Sequence, residues 1–131
     1  MVTRGARGSG FAVQLQPPRH KYGAQATVVD GRRFHSAREA RRYQELRLLE
    51  RAGEITALRC QVPFPLLASG AAASTPVGVY VADFTYRASG DDDGDGRGRD
   101  VVEDVKGCRT ALYNWKRRHF ALQYGRTITE V

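Results

Sequence analysis

Val77-Gly-Val-Tyr-Val-Ala-Asp-Phe-Thr-Tyr86 and Asp100-Val-Val-Glu-Asp-Val-Lys106 are the stretches that decide the fold. Both are rich in β-branched or aromatic residues and bounded by turn formers, so both read as strands. Side chains alternate across a strand, so Val79, Val81 and Asp83 share one face and Tyr80, Ala82 and Phe84 the other. In the second stretch, stopped by Gly107, Val102, Asp104 and Lys106 share a face opposite Val101, Glu103 and Val105. Each strand therefore sets an aspartate on a face that carries valines, an awkward place for a lone charge.

Between the strands, residues 88–99 are hydrophilic and read as a turn. Asp91, Asp93, Asp95 and Gly96 match the opening of a calcium-binding EF-hand loop, but Val102 stands where its bidentate Glu belongs and strands flank it, so the reading is a solvated hairpin tip. Upstream, Ala68 to Pro76 reads as a small-residue loop. Ile55 to Leu67 carries short β-like runs interrupted by Pro63 and Pro65, which have no N–H for a central ladder, so it reads as an edge strand or one that bends out of the sheet. Before it, Ser36 and Glu39 form an S-x-x-E capping box, and the helix they open runs to Arg51 or Ala52, with Gly53 in the C-terminal cap position. At 100° per residue Glu39 shares a stripe with Tyr43, Leu46 and Glu50, so its carboxylate points toward the protein body or toward its edge. Capping alone also accounts for a glutamate there, and the two roles can coexist. A hairpin precedes the helix, Ala26 to Val29 and Arg32 to Phe34 around Asp30-Gly31. Downstream, Thr110 caps a second helix ending at Gly125, in which Tyr113, Trp115 and Phe120 read as core, and Arg126 to Val131 reads as a last strand.

The expected fold is therefore α/β: helix, three strands, helix, strand, with a mixed sheet flanked by helices. Residues 1–20, rich in Gly and Arg, read as a basic tail before a single domain over 21–131. The chain has 131 residues and a net charge of +7, which favours an anionic partner, nucleic acid first. No apolar run reaches a membrane span, and with two cysteines, Cys60 and Cys108, neither in a CxxC pair, a reduced cytoplasmic setting is expected. No GxxxxGK[ST] phosphate loop and no ligand-spaced histidine cluster is present, which argues against a nucleotide hydrolase and a zinc nuclease.

If the two strands are neighbours, Asp83 and Asp104 lie a few ångströms apart. Bare carboxylates at ~4 Å repel by about 4 kcal/mol at an effective dielectric of 20, and a cation is the natural remedy. Oxygen donors select Mg²⁺ or Mn²⁺, which activates water and polarises a phosphoryl oxygen. Lys106, an ammonium beside carboxylates, is a poor general base; its expected work is to orient the attacking water and offset charge in the transition state. A surface ion pair between Asp104 and Lys106 is the plainer alternative.

These residues resemble the PD-(D/E)xK nuclease superfamily, and within it a family of small uncharacterised phage-type proteins. The resemblance runs from Lys21-Tyr-Gly23 to Thr129-Glu-Val131 and is carried by Ser36-Ala-Arg-Glu-Ala-Arg-Arg-Tyr43, Leu48-Leu-Glu-Arg-Ala-Gly-Glu-Ile55, Tyr80-Val-Ala-Asp-Phe84 and Val102-Glu-Asp-Val-Lys-Gly107. Ala82 stands where the superfamily pattern has Pro. The resemblance implies a restriction-endonuclease-like core, metal binding by Glu39, Asp83 and Asp104, a catalytic Lys106, and DNA cleavage, in relatives often at junctions or branches. Whether Glu103 shares the role of Asp104 stays open, though spacing to Lys106 and strand face favour Asp104. Arg109, Lys116, Arg117, Arg118 and Arg126 are candidate phosphate contacts, and Gln61 and His119 candidate substrate contacts, with structural roles as the alternative for each. A core this small spans little of a groove, which favours a homodimer. A DNA-binding or assembly module that keeps the fold without catalysis, and an RNA substrate, are the competing readings.

Overall fold

The computed structural model describes residues 26–70, 73–90 and 96–131; the stretch read as a tail and Asp91–Asp95 of the EF-hand-like loop lie outside them. Asp30 and Gly31 take φ of 51° and 74°, so the Asp-Gly turn joins β1 (Thr27–Val29) to β2 (Arg32–Phe34) as expected. The first helix, α1 (Ala37–Arg51), starts at Ser36, whose hydroxyl accepts the Glu39 N–H at 3.2 Å. The Glu39 carboxylate answers by accepting the Ser36 hydroxyl and the His35 N–H, each at 3.3 Å. Past its end, Gly53 takes a left-handed φ of 78°.

β3 (Ile55–Ser69) and β4 (Ser74–Ala88) form one long hairpin, paired from Ile55↔Ala88 to Ser69↔Ser74. The expected loop over Ala68 to Pro76 is strand at both ends: Ala68 and Ser69 pair with Thr75 and Ser74 although small residues carry no strand signal, and Pro76 lies opposite Leu67 at a register shift. β5 (Arg99–Asp104) is antiparallel to β4, and after α2 (Ala111–Tyr124) the two-residue β6 (Thr129–Glu130) lies parallel to β5. The order β3-β4-β5-β6 is a mixed sheet with β3 at its edge, where the prolines predicted it. The last strand is shorter than expected, since Gly125 turns left-handed and Arg126 and Thr127 are exposed coil.

The chain at and just past β5 faces both helices. Val102 joins Tyr80, Ala82, Tyr113, Phe120 and Ile128 on the α2 side, whereas Val105 packs with Phe34, Tyr43, Leu46 and Phe84 on the α1 side. The row Val77, Val79 and Val81, on the face that alternation shares with Asp83, is 45–49% exposed. The buried row is Tyr80, Ala82 and Phe84 instead, because the aromatic rings of α2 pack against Tyr80 and Phe64. Trp115, expected in the core, is also exposed, while Tyr113 and Phe120 are buried.

Candidate active site

Ala82 and Phe84 sit two apart on β4, where a regular strand would point them the same way, yet they join opposite clusters. The strand rotates between them. Pairing passes from Val62↔Ala82 to Cys60↔Phe84 without a Gln61–Asp83 pair, and Gln61 takes a φ of 52°, rare for a residue with a side chain. Asp83 stands at this kink. Its Oδ1 accepts the Gln61 side-chain amide at 3.2 Å, and its Oδ2 accepts the Val105 N–H at 2.8 Å. That second bond takes the N–H that would have continued β5, which is why the strand stops at Asp104 rather than at Lys106.

The side chains of Asp83 and Asp104 meet. Burial first, and then the hydrogen bond with Asp104, push the Asp83 carboxyl up to about 7, while the Val105 N–H opposes the rise and the charges of Asp104 and Glu39 add to it. Asp104 is 3% exposed. Its Oδ2 accepts the Tyr80 hydroxyl at 3.0 Å, and its Oδ1 lies 3.0 Å from the Lys106 ammonium. Burial and the Asp104 charge hold the Tyr80 hydroxyl far above its ordinary range, so it stays a donor. Lys106 also sits 3.8 Å over the Tyr113 ring, and its backbone is held by Val131 O on its N–H (3.1 Å) and Arg38 on its carbonyl (3.0 Å). The two aspartates and the lysine are thus brought together as their spacing predicts.

Glu39 is buried with its carboxylate engaged in the α1 cap, close enough for its charge to act on Asp83. Among the described residues no group of three or more His, Cys, Asp or Glu converges tightly enough to hold a metal ion. Two carboxylates that resist joint ionisation are nevertheless the donor set that a hard cation satisfies. Glu103 is elsewhere: fully buried on the α1 side, it accepts Arg42 through both oxygens at 2.7 and 3.0 Å and the Tyr86 hydroxyl at 2.8 Å. Its charge is already answered.

The remaining candidates divide. Gln61 touches Asp83 and so lies in the site. Arg109 and Arg117 both pair with Glu130, beside a cleft of about 250 Å³ lined by Lys106, Gly107, Cys108, Arg109, Glu130 and Val131. Lys116 is half-buried and Arg118 exposed on α2, and Arg126 pairs with Asp100 at 3.4 Å. His119 is taken up structurally: its Nε2 lies 2.7 Å from the Leu67 carbonyl oxygen and its ring packs on Trp115. Sequence reasoning missed Tyr80, Tyr113, Glu130 and Arg38. None carried a signal: Tyr80, three residues before Asp83, falls on the opposite face by strand alternation, and nothing marks Glu130, which accepts the Tyr113 hydroxyl at 2.9 Å.

A family model described as "Protein of unknown function (DUF1064)" matches residues 19–130. No curated protein and no solved structure matches the chain.

Proposed function

The chain belongs to the DUF1064 family, proteins of unknown function, and we propose that it is a divalent-cation-dependent DNA endonuclease that hydrolyses phosphodiester bonds. One observation carries the proposal: the side chains of Asp83 and Asp104, from adjacent strands, meet, with Asp104 buried and the Lys106 ammonium 3.0 Å from it. The order helix, three strands, helix, strand from α1 onward supports placing the fold with restriction-endonuclease-like cores of the PD-(D/E)xK type.

In this reading Asp83 and Asp104 hold Mg²⁺ or Mn²⁺, with Glu39 the nearest further carboxylate. When bound, the ion polarises a phosphoryl oxygen and lowers the pKa of a water molecule. The chain's own groups do the rest. Gln61 and the Val105 N–H fix the Asp83 carboxylate, and Tyr80 fixes Asp104. Lys106, steadied by the Tyr113 ring, orients the attacking water and offsets charge growing on the phosphoryl oxygens. The cleft beside Lys106, with Arg109 on its wall, accepts a phosphate of the same strand. Branched DNA is the substrate to try first.

One observation favours a second reading, a DNA-binding module without catalysis: the Glu39 carboxylate is spent on its own helix cap. A single assay separates the two. Purified protein is incubated with linear, branched and single-stranded DNA, and with RNA, in Mg²⁺, Mn²⁺ or chelator, beside Lys106→Ala and Asp83→Ala. Cation-dependent cutting is expected from the parent, with a loss of at least about 10²-fold in each variant and DNA binding retained by Lys106→Ala. Binding without cutting would move the assignment to the module, and equal cutting by parent and variants would remove it from these residues.

A further inference from the structure

Beyond Asp83 the β3–β4 hairpin continues as an arm, paired from Val62↔Ala82 out to Ser69↔Ser74. Its two faces differ. On one, Leu66 and Tyr80 are buried and Phe64 packs on the Phe120 and Tyr124 rings of α2. On the other, Pro63 lies opposite Val81 and Pro65 opposite Val79, and all four are exposed, as is Val77. No residue between Arg59 and Asp83 is charged, in a chain of net charge +7.

The arm's outer edge is closed. Gln123 of α2 imitates a pairing strand, accepting the Leu67 N–H at 2.8 Å and donating to Pro65 O at 3.0 Å. The Tyr124 hydroxyl also donates to Pro65 O (2.7 Å), and His119 holds Leu67 O. With those backbone groups taken, and prolines at 63 and 65, the arm cannot recruit another strand along this edge. What it offers is a flat apolar face.

We infer that this face docks against the same face of a second copy of the chain. Nucleic acid does not suit it, since the arm presents no cation to a phosphate. A second copy does suit it. Two rows of Pro–Val pairs stack as a small sandwich across a two-fold axis, each surface meeting its own equal. The arm is also the place where two strongly basic molecules can touch with little repulsion. The face offers on the order of 300 Å² per copy, well under the roughly 800 Å² of a standard interface, so the contact is weak and reversible. Because the arm begins at Asp83, docking two arms also sets the distance between the two candidate sites.

Sedimentation of the purified chain over roughly 1–500 μM, the range where an interface this small associates, tests the inference. Val79→Asp and Val81→Asp place a charge in the face; Leu122→Asp, at the 88% exposed position on α2, is the control. The parent should pass from monomer to dimer, with the midpoint raised at least about tenfold by either arm variant and unchanged by Leu122→Asp. A parent that stays monomeric throughout, or a dimer that both arm variants leave intact, would overturn the inference.

Discussion

Asp83 is the residue on which the chemistry turns, and its protonation makes a prediction independent of any substrate. Burial and Asp104 lift its carboxyl from 3.8 to about 7. As pH rises from about 4 to 7 the unfolded chain gives up this proton before the folded one does, so without a cation the Asp83 contribution to stability falls over that window. Asp83→Asn has no such proton. Relative to that variant, the parent should lose on the order of 1–3 kcal/mol between pH 4 and 8, followed by denaturant melts, and added Mg²⁺ should restore part of the loss. Parallel pH profiles would show that Asp83 is not held against Asp104. At this scale much was legible: period-two alternation and the spacing of Asp104 to Lys106 were enough to gather the site. The supporting hydroxyls and rings were not, because nothing in Tyr80 or Tyr113 as residue types distinguishes a partner of Asp104 or Lys106 from ordinary core.

The helices follow from their caps, since Ser36, Gly53, Thr110 and Gly125 each leave a local chemical mark. The long arm and the kink do not. Ala68 to Pro76 is written in residues that favour no element, and a left-handed Gln61 has no sequence signature, so the rotation of β4 between Ala82 and Phe84 was invisible. The turn into β5 gives an element-level test. Gly98 takes a φ of 69°, and a Cβ added there would stand 2.5 Å from the Ala88 carbonyl oxygen, whereas at Gly96, with a φ of 68°, it would meet nothing within 4 Å. Gly96→Ala should therefore cost about 1 kcal/mol for the backbone alone, and Gly98→Ala roughly 1–3 kcal/mol more. Equal shifts in the denaturation midpoint would mean that β4 and β5 do not approach as described.

Seen whole, the molecule separates its tasks. Helices α1 and α2 cover opposite faces of β5, the kinked centre of the sheet gathers the aspartates between them, and the uncharged arm runs on along α2. Among the described residues no helix is long and apolar enough to cross a membrane. The mixed sheet with two helices was legible from the order of elements; the division between a basic body and an uncharged arm needed the register of β3 on β4. The account rests on the junction of β4 and β5 being a cation site. Titrating Mn²⁺ into the protein without nucleic acid, and following free ion by electron paramagnetic resonance, tests that most directly. A saturable site is expected in the parent and in Lys106→Ala, weakened at least about tenfold in Asp83→Asn and Asp104→Asn. Mn²⁺ binding that these two substitutions leave unchanged, or no saturable binding by the parent, would contradict it.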